Sequence, residues 1–477
     1  MDGESSAQMI GMRRVFARLA NGNATRRVQF GLAERRTALL ALRRTIRAHE
    51  REIIDALASD FGKPPSETRL TEILPVQTEI SHALRNLRRW MRPRRVRTTR
   101  AMLGTRGRIL PQPKGTALII APWNYPLALS LGPLVSALAA GCAAVVKPSE
   151  LAPASAAILS EILTDALPED LTVCLEGGPE IAQSLLDLPF DHVFFTGSPR
   201  VGALVAERVG RRLGSVTLEL GGKSPVIVGP NADLKQAARM IVWGKFANAG
   251  QTCIAPDHVF VAKSIEAPFL AELKAAVAKM YGRDEAAQAA SRDFARIIDF
   301  KHFARLTEMI AQAQGSGARA LTGGPSDAET RYIPPTILMG TDPDMAVERE
   351  EIFGPVLPVI PFVRLDTVLD RIEAGPRPLA LYIFERDRAV IDHVASRAIS
   401  GALGINVVLA HFLHLNLPFG GIGRSGQGAA HGEWGFRAFS HEKAILETRF
   451  APLRLLMPPY RGSRKRLTKI MTRILGR

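Results

Sequence analysis

The chain has 477 residues, 46% of them apolar and 23% charged, a balance that excludes a disordered or collagen-like polymer and leaves room for two or three domains. Three cysteines spread over that length exclude a disulfide framework and a cysteine-rich zinc site, and point to a reducing compartment. A formal charge of +16 permits anionic cofactors, lipid headgroups or nucleic acid as partners without choosing among them.

Met1 to Phe16 is polar, with no apolar run of signal-peptide length, so a cytoplasmic protein is expected. Ala33 to Leu57 predicts one amphipathic helix, with Leu39, Leu42, Ile46, Ile53 and Leu57 near one face. A second helix carries Val76, Ile80, Leu84 and Leu87, stops at Pro93, and has Pro75 as a kink near its start. Arg94 to Leu110 alternates weakly and predicts a protruding hairpin. Much of the positive charge lies here, at Arg85, Arg88, Arg89, Arg92, Arg94, Arg95, Arg97 and Arg100, and in the tail from Arg454 to Arg477. Neither stretch interleaves aromatics with its charges, so no nucleic-acid partner is expected.

Gly115 to Val146 contains no charged residue, which is long enough for a membrane span. Pro122, Asn124, Pro126, Gly132, Pro133 and Gly141 divide it instead into a strand (Ala117 to Ala121), a helix (Leu127 to Ala140) and a second strand (Ala143 to Val146), one right-handed crossover unit. Strands at Leu171 to Leu175, His192 to Phe195 and Val216 to Leu220 alternate with helices at Ser155 to Leu167, Glu180 to Asp187 and Val201 to Leu213. Such alternation predicts a doubly wound parallel sheet, with ligands at the carboxyl ends of its strands. Those ends are Trp123-Asn124-Tyr125-Pro126, Lys147-Pro148-Ser149-Glu150, Thr196-Gly197-Ser198 and Gly221-Gly222-Lys223. Each has a plainer reading. The glycine turn at Gly197, taken alone, is more often only a helix cap; Lys147 and Glu150 also read as a surface ion pair; and Gly222-Lys223-Ser224 fails as a phosphate loop, because Thr217 stands where its first glycine belongs.

The second half repeats the rhythm: Pro225 to Val228, a helix from Leu234 to Ala247, strands at His258 to Val261, Leu357 to Phe362, Leu379 to Phe384 and Gly401 to Val407, and a helix at Glu266 to Met280. A second α/β domain follows. Between its first helix and the next strand lies Gly250-Gln251-Thr252-Cys253-Ile254-Ala255-Pro256-Asp257, a thiol among small and polar neighbours where a nucleophile fits. Cys142 and Cys174 read better as inert buried thiols. His411 and His414 have no acidic or cysteine partner beside them, so no metal site is expected.

Trp123-Asn124-Tyr125-Pro126, Lys147-Pro148-Ser149-Glu150, Phe195-Thr196-Gly197-Ser198, Leu218-Glu219-Leu220-Gly221-Gly222-Lys223, Gly250-Gln251-Thr252-Cys253 and Glu351-Ile352-Phe353-Gly354-Pro355 stand in an order that resembles the aldehyde dehydrogenase superfamily. The short N-terminus, Cys253-Ile254-Ala255-Pro256-Asp257 and Arg377-Pro378-Leu379-Ala380-Leu381-Tyr382 resemble its class 3 branch, which includes fatty and coniferyl aldehyde dehydrogenases. The resemblance spans roughly residues 30 to 460. It departs at His258, where tyrosine is common, at Cys142, where asparagine is, and before His431, where a tyrosine is missing.

The resemblance implies an α/β fold with a Rossmann-type cofactor domain (1–93 and 111–222), a catalytic domain (223–425), an oligomerisation element (94–110 with about 426–450) and a basic amphipathic tail (451–477). It implies Cys253 as the nucleophile, the Asn124 amide and the Cys253 N–H as oxyanion donors, and Glu219 as the base for hydrolysis. It assigns Trp123, Lys147, Glu150, Thr196, Gly197, Ser198, Gly221, Glu351 and Phe353 to the cofactor, NAD preferred because a carboxylate near the ribose disfavours a 2′-phosphate, with NADP accepted by class 3 relatives. The substrate would be an apolar aldehyde, and the chain a homodimer. Two rivals stand beside this: an acylating relative, which needs no water base, and a non-catalytic membrane-associated scaffold. In the tail, Leu467, Ile470, Met471, Ile474 and Leu475 oppose Arg464, Lys465, Arg466, Lys469 and Arg473, a pattern that suits a membrane surface, the chain's own substrate mouth or a second subunit.

Overall fold

The computed structural model of the chain describes residues 2–448 and 457–475. Its strands, in chain order, are β1 (Arg94–Val96), β2 (Thr105–Pro113), β3 (Thr116–Ile120), β4 (Ala143–Lys147), β5 (Thr172–Cys174), β6 (His192–Gly197), β7 (Ser215–Leu220) and β8 (Pro225–Val228). They continue with β9 (His258–Ala262), β10 (Arg319–Thr322), β11 (Thr336–Met339), β12 (Val356–Phe362), β13 (Ala380–Phe384), β14 (Ala402–Ile405), β15 (Gly426–Gln427) and β16 (Ser440–Thr448).

Every residue of β3 and β4 is buried, as continuous apolar runs in a parallel sheet covered on both faces must be. The chain between them closes as the helix Ala128–Ala140, ended by Gly141 at φ 92°, a left-handed position that glycine adopts without strain. Repetition of this unit gives a first sheet ordered β15-β7-β6-β3-β4-β5, parallel except for β15. The strand order reverses between β3 and β6, so a crevice opens where Trp123 and Thr196 leave the sheet. The second sheet runs β10-β11-β12-β9-β8-β13-β14, with only β10 antiparallel.

The stretch from Ala33 to Leu57 is two helices, Leu32–Ala48 and Glu50–Phe61, rather than one. The break at His49 lets both apolar stripes lie on the helix Pro153–Ala166, and the His49 ring meets Asp165 at 3.1 Å. Near Pro75 the start of Leu74–Trp90 is preceded by one wide turn over Arg69–Ile73, which absorbs the missing proline N–H. The polar N-terminus forms a helix, Asp2–Asn21, whose Met12 and Leu19 join the apolar layer beneath the first sheet. Met9, Met12, Phe16 and Leu19, spaced three or four apart, carry the helical pattern that a reading of the segment as polar passes over.

β2 pairs antiparallel with both β1 and β16, giving a three-stranded arm. Of the stretch 426–450, β15 instead edges the first sheet, the helix Gly432–Ala438 lies on Ala128–Ala140, and only β16 belongs to the arm. Residues 449 and 450, and 451–456, 476 and 477 of the tail, lie outside the described residues, as do the Ile474 and Leu475 side chains. The tail residues described form the helix Ser463–Leu475. Among the described residues no helix is long and apolar enough to cross a membrane.

Candidate active site

The loop after β3 and the cysteine loop are sewn together. Asn124 is buried and donates from Nδ2 to the Gln251 carbonyl at 2.9 Å, leaving the amide's second N–H free for another acceptor. Asn248 Nδ2 donates to the Asn124 carbonyl at 2.9 Å, and the Tyr125 hydroxyl lies 2.6 Å from Thr252 Oγ1. Gln251 is in turn held within its own domain, donating to Arg296 O and accepting from Ile298 N, both at 3.0 Å. The Tyr382 hydroxyl of β13 donates to the Ile254 carbonyl at 2.7 Å. Cys253 is therefore held between the two sheets, half-buried, with its own N–H and that of Ile254 directed at the sulfur.

Two carboxyls flank it. Glu219 leaves β7 beside Thr196 in the register; it is 6% exposed, and neither carboxyl oxygen has a hydrogen-bond partner. Burial alone raises its pKa well above the usual carboxylate range. Glu351 accepts from the Gly222 N–H, while its Oε1 is unpartnered, and burial raises it to about 7. Burial, then the charges of Glu351 and Glu219, push the Cys253 thiol up to about 12. Burial thus disfavours the thiolate of Cys253 and the carboxylate of Glu219 alike, and reactivity requires a nearby base or positive charge.

The remaining sequence-expected residues gather at the carboxyl ends of the first sheet. Trp123 stands edge-on to Phe353 at 5.5 Å and to His302 at 5.2 Å. Phe353 takes φ 47°, a conformation rare outside glycine, in a segment pinned by the Arg305 guanidinium on the Ile352 carbonyl at 2.7 Å. At Gly221 a side chain would displace the Glu351 carboxyl, which fills that place. Lys147, buried at the end of β4, pairs with half-exposed Glu150 at 2.9 Å. Ser198 caps the helix Pro199–Gly210 by accepting from Val201 N, and the buried Thr196 hydroxyl has no partner.

These orphaned polar atoms, Thr196 Oγ1 and Glu351 Oε1, lie with the Gly197 turn along the crevice of the strand-order reversal, which fits an extended polar group such as a dinucleotide. Lys223 acts as a brace: its amine bonds Asp257 and the carbonyls of Val347 (3.0 Å) and Glu350 (2.8 Å), steadying the Glu351 segment. Cys142 donates to the Phe439 carbonyl, and burial pushes Cys174 up to about 12. Among the described residues no cluster of three or more His, Cys, Asp or Glu side chains is arranged to hold a metal.

Sequence reading singled out Asn124 and Cys253; Tyr125, Gln251, Thr252 and Tyr382 stood in its motifs without a role, and it missed Asn248. It also missed Glu67, whose Oε1 accepts from Asn248 N at 2.6 Å, and Glu72, which accepts from Ala128 N at 2.9 Å and pairs with fully buried Lys63 at 2.8 Å. They stand in a mostly polar stretch, 63–73, where nothing in the sequence sets a buried acid apart from an exposed one.

A half-buried thiol with a backbone and amide donor set, set between a dinucleotide-type sheet and a second α/β domain, defines an oxidoreductase. The aldehyde dehydrogenase family profile matches residues 17–445. The chain is 40% identical over 435 residues to the 4,4'-diaponeurosporen-aldehyde dehydrogenase of Staphylococcus aureus, covering 90% of this chain and 93% of that protein. It is 40% identical over 408 residues to aldehyde dehydrogenase family 3 member A2 of Macaca fascicularis, covering 86% and 82%. The solved substrate-bound state of Staphylococcus aureus AldH superposes with a TM-score of 0.91 at 38% identity, covering 96% of this chain and 99% of that one. The chain belongs to the aldehyde dehydrogenase family, in its class 3-like branch.

Proposed function

We propose that this aldehyde dehydrogenase oxidises an apolar aldehyde, aromatic or medium- to long-chain aliphatic, to the carboxylic acid through covalent intermediates on Cys253. The sulfur, once deprotonated, adds to the aldehyde carbon, and the carbonyl oxygen takes the negative charge facing the free N–H of Asn124 and the Cys253 N–H. Bound NAD, or NADP, supplies the acceptor for the hydride that leaves that carbon, and its positive ring charge favours the thiolate. The resulting thioester is opened by water: the O–H proton passes to Glu219, the C–S bond breaks, and the acid leaves. Glu351 and Phe353 would hold the nicotinamide ribose and ring, with Trp123 packed behind Phe353; Lys147 and Glu150 the adenosine ribose; and Thr196, Gly197, Ser198 and Gly221 the span between.

The observation that carries this reading is the unpartnered, buried Glu219 carboxyl, close enough to Cys253 to shift its thiol. A buried acid left without a donor costs stability and calls for a role. An acylating enzyme would have no use for it. The polyene aldehyde in the name of the Staphylococcus aureus relative supports an apolar substrate. The arm is read as a homodimer contact and the tail as a peripheral membrane contact. Adding hexanal or cinnamaldehyde to protein with NAD should raise NADH absorbance, and Cys253→Ala should abolish the rise; a wild-type trace that stays flat across an aldehyde panel with either cofactor would refute the reading.

A further inference from the structure

In the proposed reaction each turnover sends one proton from the cysteine loop to solvent, the one that the Cys253 thiol gives up as it adds to the aldehyde. The proton that Glu219 takes from water returns to the departing sulfur and stays in the site. Glu219 offers no way out, since neither of its oxygens meets a hydrogen-bond partner. A different set of groups touches the loop and reaches the surface.

The short helix Pro65–Thr68 runs into the wide turn Arg69–Ile73, an irregularity frequent at functional sites, and the two carry Glu67 and Glu72. Glu72 and Lys63 pair at 2.8 Å with both side chains fully buried, and the Lys63 amine stands 4.0 Å from the centre of the Tyr125 ring. The Tyr125 hydroxyl is 2.6 Å from Thr252 Oγ1, where either oxygen can donate, and the charges of both Glu67 and Cys253 act on it. Unlike Glu219 and Glu72, Glu67 is partly exposed. Its Oε1 accepts from Asn248 N at 2.6 Å and pins a strained stretch just before Gly250, with Asn248 at φ 53° and Ala249 at φ 52°. No other hydrogen bond reaches its carboxyl among the described residues, which leaves the second oxygen for water. Burial raises Glu67 to about 7, offset in part by the Lys63 charge and the Asn248 N–H and reinforced by Glu72; Tyr125 and Tyr281 face it as well.

We propose that Glu67 is the proton outlet of the cysteine loop, reached from the thiol through the Thr252 and Tyr125 hydroxyls. As the sulfur bonds to the aldehyde carbon, its S–H proton goes to the Thr252 oxygen, the Thr252 proton to the Tyr125 oxygen, and the Tyr125 proton to the Glu67 carboxylate. The first and last transfers are direct or cross one water. Both hydroxyls end neutral, the carbonyl oxygen holds the electron pair displaced from the C=O bond, and Glu67 yields the proton to solvent. Nothing is oxidised or reduced in these steps. An acid that titrates near 7 takes and gives a proton with equal ease at neutral pH. This rests on the Cys253 chemistry proposed above. The competing account is a Glu67 that only holds Asn248, and glutamine separates the two: its carbonyl oxygen still accepts from the Asn248 N–H, but it cannot carry the proton.

The test is NADH formation in a single turnover, with enzyme and NAD in excess over hexanal, from about pH 6 to about pH 9. The wild-type rate should rise through pH about 7. Glu67→Gln should slow it by roughly 10²-fold or more and remove that rise, and added imidazole should restore part of the rate by taking the proton itself. Tyr125→Phe, which keeps the ring over Lys63, should slow it as much, and the double variant no further, because the two residues act on one path. A Glu67→Gln rate that matches wild type, one slowed equally at every pH and untouched by imidazole, or losses that multiply in the double variant overturn the outlet and leave aldehyde oxidation standing. Tyr125→Phe at the wild-type rate overturns it too, and decides the matter if the glutamine variant does not fold. A wild-type enzyme that forms no NADH refutes the oxidation itself.

Discussion

Glu219 shows how much a single residue can cost the fold. Its carboxyl is buried with no donor on either oxygen, an arrangement that destabilises a folded chain and is retained where chemistry requires it. Glu219→Gln should therefore separate the two halves of the reaction. The first turnover, forming the thioester, should persist as a burst of NADH equal to the enzyme present, while steady turnover should fall by roughly 10²- to 10⁴-fold as the water base is lost. A variant with full steady-state turnover would remove Glu219 from the mechanism. At this scale the sequence revealed residues that lie in ordered motifs, Cys253, Asn124, Glu219 and Glu351. It concealed Asn248 and Glu67, which lie outside those motifs, because a side chain that acts through hydrogen bonds to distant backbone groups leaves no periodic trace.

The cysteine loop is an element with almost no regular structure, yet it is fixed from three directions: by Asn124 and Tyr125 after β3, by Tyr382 on β13, and by the Glu351-Phe353-Gly354 segment. The last contact depends on Gly250. At φ 76° it occupies the left-handed region, and a side chain there would run into the Gly354 carbonyl. Gly250→Ala should destabilise the protein by about 2 kcal/mol or more, read as a lower midpoint in urea, because strain and overlap add. An unchanged midpoint would mean that the loop adjusts freely and is not pinned from that side. Alternating strands and helices were legible from Gly115 to Val261 because buried parallel strands are apolar runs bounded by glycine and proline. The bend at His49 was not, since its cause is a helix more than a hundred residues away.

At the scale of the whole molecule, the site is made where two parallel sheets face each other, and acids gather under it. Burial raises Glu67 and Glu351 to about 7 and Glu219 and Glu72 above their ordinary values. Such a group is still protonated in the fold at a pH where the unfolded chain has released its proton, so its stabilisation is complete below the unfolded pKa and is lost as pH rises through the folded one. The buried histidines act the other way. His82, His192, His258 and His411 are lowered by burial, and they add stability as pH climbs toward 6.5. Lys245, lowered to about 8 by burial, begins to matter only above that. Between about pH 6.5 and 8 the carboxyls alone set the slope. The melting temperature should fall across that window, and the fall should be shallower in Glu219→Gln. Activity should move oppositely, because the thiol and the water base both work deprotonated, so kcat/KM should rise over the same range. A melting temperature that climbs with kcat/KM would show that these acids are ionised in the fold, and that the site is wetter than its burial indicates.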